Sequence, residues 1–137
     1  DLSEKIIQKE SLDVSPAKIE FLLVYPNVSK KHAGICKKSG KELKFFTTFD
    51  YLIEMSGELW DKLDPETQYI LMLHELKHVM PVMNEKTGNW DFKIRDHDVQ
   101  DFSSIIKKYG IDWIAKVKTI AGSVYDLDPK DEDSITI

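Results

Sequence analysis

Residues 64–81 restrict the fold more than any other stretch, because they start a helix, stop it and set polar groups into its apolar body. Asp64-Pro65-Glu66 combines an N-cap residue, a proline suited to the first helical position and an acidic residue in the first turn. The sequence therefore predicts a helix starting at Pro65. Tyr69, Ile70, Leu71, Leu73, Leu76 and Val79 make it apolar on more than one side, and Pro81 stops it. Positions 74, 75, 77 and 78 interrupt that apolar run, which costs stability unless those side chains are used.

The interruption reads His74-Glu75-Leu76-Lys77-His78. Positions i and i+4 lie about 40° apart around a helix of 3.6 residues per turn, so both imidazoles leave one face and can reach one ion. Glu75 lies beside that face, too offset to ligate easily but near enough to take a proton from water. H-E-x-x-H on a helix is the metalloprotease pattern.

A catalytic zinc needs three protein ligands and one open position. Three of the four histidines, His74, His78 and His97, fall within one 24-residue window, which makes His97 the candidate third ligand. Asp96 as N-cap, Asp98 in the first turn, and Val99, Phe102, Ile105, Ile106 and Tyr109 before Gly110 predict a second helix that His97 opens. On such a helix His97 and Asp101 share a face. Asp101 is then either an alternative ligand or the carboxylate that orients an imidazole, and Asp98 is a further candidate for those roles. Arg95, the only arginine, stands two residues from His97 and is the candidate donor to a developing oxyanion, with Tyr51 and Tyr109 as alternatives. His32, within Lys30-Lys31-His32, is expected to be solvated.

Taken in order, Asp50-Tyr51-Leu52-Ile53-Glu54, Trp60-Asp61-Lys62-Leu63, the H-E-x-x-H string and His97-Asp98-Val99-Gln100-Asp101-Phe102 resemble the phage metallopeptidases, a family of minimal zincins. The resemblance spans roughly residues 15 to 110 and is most specific at the two histidine motifs. It implies zinc ligands at His74, His78 and His97, Glu75 as catalytic base, and a phage or prophage origin in the cytoplasm of a bacterial host. It carries no substrate.

At 137 residues the chain is long enough for one core, expected over residues 1–120, with residues 121–137 as an acidic, disordered tail. A hydrophobic content of 42% and no apolar run of membrane-spanning length point to a soluble domain without a membrane partner. No signal peptide is visible at the start. Cys36 stands alone and can form no internal disulfide, which fits a reducing compartment. A net charge of −5 opposes nucleic-acid binding by the whole surface. The Lys30–Lys44 region, with six lysines, is the one place for such a contact, although a solvated hairpin is the plainer reading.

Along the chain, residues 1–12 read as a short helix and Lys18 to Tyr25 as a strand closed by Pro26. Gly34 to Lys38 and Glu42 to Thr48 read as a hairpin about Ser39-Gly40. Phe49 to Met55 is a further strand, Leu59 to Leu63 a short helix, Trp90 to Ile94 an extended segment, and Trp113 to Ile120 an amphipathic segment that closes the core. The expected fold is α+β, a small zincin-like domain with a short sheet packed on the H-E-x-x-H helix. By analogy with zincins, Tyr51 to Met55 is the strand expected to line the substrate cleft. The expected function is zinc-dependent hydrolysis of peptide bonds in a peptide or protein substrate, with a zinc-bound water and Glu75 as general base. The alternatives are a non-catalytic, zinc-stabilised binding protein and a SprT-type protease associated with nucleic acid.

Overall fold

The structure is a computed structural model that describes residues 1–29, 31–97, 101–125 and 137. Its elements are α1 (Leu2–Lys9), β1 (Ile19–Val24), β2 (Gly34–Lys38), α2 (Lys41–Phe46), β3 (Tyr51–Ser56), α3 (Gly57–Lys62), α4 (Pro65–Lys77), β4 (Val79–Met83), β5 (Trp90–Ile94), α5 (Ser103–Tyr109) and α6 (Asp112–Val124). The fold is α+β, as expected.

Helix α4 forms where its caps predict. The Asp64 carboxylate accepts from the Thr67 N–H at 2.8 Å, and Pro65 occupies the first turn, where it forfeits no helical hydrogen bond. Ile70, Leu71, Leu73 and Leu76 are all buried, so the helix is the centre of the core. It packs against α1, α5, α6 and strand β2.

The main sheet has the order β1-β3-β2. β1 runs parallel to β3, with Ile19 opposite Tyr51, while β2 runs antiparallel to it, with Gly34 opposite Met55. β3 is therefore central, and Tyr51, Ile53 and Met55 turn into the core at alternate positions. This corrects the expectation that Tyr51 to Met55 borders the cleft, because both its edges are taken. The strand that borders the cavity at Glu75 is β2. A second correction concerns residues 42–48, expected as the return strand of a hairpin. Lys41–Phe46 is helical instead, and β2 finds its partner in β3.

β4 and β5 form a separate antiparallel hairpin, with Val79 opposite Ile94. Tyr51 fastens it to the main sheet: its hydroxyl donates to the Lys93 carbonyl at 2.7 Å, and its ring meets Phe92 edge-on at 6.0 Å.

Helix α6 extends past residue 120, where the sequence placed a boundary. Trp113, Val117, Ala121 and Tyr125 recur every fourth residue and are all buried, so the apolar stripe of α6 continues to its end. The Tyr125 hydroxyl then donates to the His32 carbonyl at 2.9 Å. Residues 126–136, the greater part of the expected acidic tail, lie outside the described residues. Among the described residues, no helix is long and apolar enough to cross a membrane.

Candidate metal centre

The last two turns of α4 carry His74, fully buried, and Glu75, 1% exposed; His78 is the C-cap residue. The third imidazole comes from beyond β5. Two hydrogen bonds stitch the end of the hairpin to the end of α4, the Arg95 N–H donating to the His78 carbonyl at 2.7 Å and the Arg95 guanidinium to the Lys77 carbonyl at 3.1 Å. His97 is thereby brought to α4, with its Nε2 2.8 Å from His78 Nε2. The ligand atoms of His74, His78 and His97 all lie within 4.8 Å of one another.

Hydrogen bonds decide which nitrogens converge. His74 Nδ1–H donates to Asp101 Oδ1 at 2.6 Å, and His78 Nδ1–H donates to the Arg95 carbonyl at 2.7 Å. Each proton is held on the outer nitrogen, so each Nε2 presents a lone pair inward, the tautomer a metal ligand requires. Burial pushes the pKa of His78 down to about 4, opposed by its bond to Arg95, so the ring is neutral at pH 7.

Asp101 is completely buried and accepts two more bonds, from the Phe102 N–H at 2.7 Å and from the Trp113 indole N–H at 3.1 Å. Of the two roles the sequence left open for it, its geometry is that of a carboxylate orienting His74. It does not share a helix with His97, because α5 begins only at Ser103. The predicted helix opened by His97 is thus corrected: residues 95–97 are irregular, which lets the imidazole turn toward His78. Asp98 lies outside the described residues. Arg95 is exposed, and its guanidinium faces the end of α4. The backbone carbonyl of the same residue is what reaches the site.

Glu75 lies with Oε1 4.0 Å from His74 Nε2, while its Oε2 is buried with no hydrogen-bond partner among the described residues. Burial pushes its pKa up to about 7, with His74 pulling it down and Asp101 adding to the rise. A cavity of about 170 Å³ opens beside it, bordered by His78 and His97 and, on the β2 side, by Gly34, Ile35 and Cys36. Burial, with Glu75 nearby, pushes the Cys36 thiol up to about 12, which makes it a neutral wall of the cavity and no nucleophile.

Two side chains of the site were not singled out from sequence. Phe102 packs its ring against all three imidazoles, with centroid distances of 5.5 Å to His74 and 5.2 Å to His78 and His97. Trp113 packs on His74 at 5.6 Å while it holds Asp101. A signal for Trp113 existed, since a buried indole N–H needs an acceptor and Asp101 is an acidic residue in the neighbouring segment.

Three imidazole donors, with a carboxylate oxygen beside them that no described residue partners, fit zinc, which takes nitrogen ligands and leaves one position open in a catalytic site. No curated protein and no solved structure matches this chain. A family model described as "Putative phage metallopeptidase" matches residues 1–125, which takes in every described element from α1 to α6. With that match joined to a histidine triad able to hold a metal, the chain belongs to the phage metallopeptidase family.

Proposed function

We propose that this chain is a zinc-dependent peptidase in which His74, His78 and His97 hold the metal and Glu75 is the general base for hydrolysis of a peptide bond. The observation that carries the reading is the Glu75 carboxylate, buried, unpartnered at Oε2 and facing the same cavity as His78 and His97. A purely structural metal site has no use for such a group, whose burial costs stability.

Zinc held there supplies a Lewis acid for the scissile carbonyl and makes a water molecule acidic enough to lose its proton near neutral pH. Glu75, with a pKa raised toward neutrality, is matched to accepting that proton and delivering it to the leaving amine. Asp101 and the Arg95 carbonyl hold His74 and His78 in register. β2 is an outer strand of its sheet and borders the cavity, so an extended peptide laid along it would meet backbone groups that no described strand pairs on that side. The substrate is accordingly a peptide or an unfolded protein segment.

The test is metal content and peptide hydrolysis of the wild type beside His97→Ala and Glu75→Gln. One equivalent of zinc, lost in His97→Ala and retained in an inactive Glu75→Gln, is the expected result. A wild-type chain that takes up no zinc, or a Glu75→Gln variant with full activity, would sink the reading.

A further inference from the structure

The oxyanion of peptide hydrolysis needs a hydrogen-bond donor beside it, and the three side chains expected to supply one are engaged elsewhere. The Arg95 guanidinium donates to the Lys77 carbonyl, the Tyr51 hydroxyl to the Lys93 carbonyl and the Tyr109 hydroxyl to Glu10. His32 is differently placed. Expected in solvent, it is half-buried and borders the same cavity as Glu75, His78 and His97. The metal site and the general base account for every other polar side chain described on that wall except the Cys36 thiol, a weak donor.

The residue is held as a preorganised donor needs to be. Its carbonyl accepts from two hydroxyls, Ser56 at 2.6 Å and Tyr125 at 2.9 Å, which tie the loop before β2 to the end of β3 and the end of α6. Ser56 is completely buried and Tyr125 is 5% exposed, so both tethers are anchored in the body of the molecule. The ring is fixed in turn, with Nδ1 2.7 Å from Ser29 Oγ. That oxygen already accepts the Lys31 N–H at 3.3 Å, so its own hydrogen is free to point at Nδ1. The ring proton then sits on Nε2, which has no hydrogen-bond partner among the described residues.

Resting on the peptidase reading above, we propose that His32 is a further catalytic residue. Its Nε2–H donates a hydrogen bond to the scissile carbonyl oxygen as water adds and negative charge gathers there, a contact stronger in the transition state than in the bound substrate. Ser29, Ser56 and Tyr125 are positioning residues that act through it.

The test compares the zinc-loaded full chain with His32→Leu and His32→Gln by casein hydrolysis, zinc content and binding of N-phosphoryl-leucyl-alanine, whose tetrahedral phosphoryl group mimics the oxyanion. His32→Leu should lower kcat by roughly 10²- to 10³-fold with KM within about two-fold, and should weaken the phosphoryl dipeptide by a comparable factor. His32→Gln keeps an N–H donor at a similar reach and should regain about ten-fold of the lost kcat. Zinc content should stay at the wild-type level in both. A wild-type kcat in His32→Leu would overturn the proposal and leave the peptidase reading standing. Zinc lost in step with activity would overturn it as well, by making His32 a support of the metal site alone. A wild type that binds zinc but leaves casein intact would overturn both readings. Should the leucine chain not fold, Ser29→Ala decides, because it frees the ring without removing it, and a wild-type kcat there also overturns the proposal.

Discussion

Burial lifts the Glu75 carboxyl to a pKa of about 7, so the folded chain keeps a proton there that the unfolded chain releases near 4.5. A group whose folded pKa is raised adds stability that is fully present below its unfolded value and lost as pH rises through the folded one. In metal-free protein, Glu75 should therefore cost stability progressively between about pH 4.5 and 7. The full gap corresponds to on the order of 3 kcal/mol. Glu75→Gln removes the titration, so the metal-stripped variant should melt with the wild type near pH 5 and well above it at pH 8, while hydrolysis falls by roughly 10²- to 10⁴-fold. Thermal unfolding at the two pH values checks the first expectation, and equal melting temperatures at pH 8 would contradict it. Asp101 is under a different demand, since it does not line the cavity beside Glu75 and acts through His74. Asp101→Asn keeps the shape but gives up the charged acceptor, and zinc affinity measured by chelator competition should drop by about 10- to 100-fold. An unchanged affinity would make Asp101 a packing residue only.

Strand β2 shows how one small side chain serves both sheet and site. A Cβ on Gly34 would stand 2.6 Å from Met55 Sδ, 3.3 Å from the Glu54 carbonyl and 3.5 Å from Glu75 Cδ. Gly34→Val should cost about 1–3 kcal/mol as the core gives way. The Cβ itself strains Met55 and the Glu54 carbonyl, but the added methyls extend from a position that already touches Glu75 and none of the imidazoles, so hydrolysis should fall further than zinc content, and a parallel loss of both would refute this. Nothing in the sequence marks Gly34 for that role, since the neighbours it must admit are distant in the chain. α4, by contrast, was legible because its start rests on the local chemistry of Asp64 and Pro65. Phe45 and Phe46 misled, being strand-favouring residues that the fold leaves 84% and 81% exposed on α2. β4 went unread because Pro81 sits inside it, opposite Phe92, which only a lightly paired hairpin strand tolerates. His97 was read as a candidate ligand, and the structure brings it to the other two imidazoles, but not on the expected helix, because what positions it is the Arg95–His78 stitch, a contact local periodicity does not encode.

The candidate metal centre lies where three separate parts of the molecule meet: α4 brings two imidazoles, the β4–β5 hairpin leads to the third, and α6 supplies the indole that holds Asp101. The sheet order behind this arrangement could not be read from the strands themselves, because a parallel β1–β3 pair with β2 on the far side follows from contacts between distant segments. If α6 serves the site through Trp113 and the core through its whole stripe, the two contributions should separate by substitution. Trp113→Phe retains an aromatic ring against His74 but removes the donor to Asp101 Oδ2. Val117→Ala thins the same buried stripe at a residue with no bond to Asp101. The alanine change should lower stability by roughly 1–3 kcal/mol and leave zinc affinity within about two-fold of wild type. The phenylalanine change should do the opposite, weakening zinc several-fold through a loosened Asp101 while a comparable ring fills the space. Denaturant unfolding of the metal-free chains and chelator competition on the zinc-loaded ones give the two readouts. If both substitutions lower affinity in proportion to the stability they remove, α6 supports the metal only by holding the fold together, and the indole has no part of its own in positioning His74.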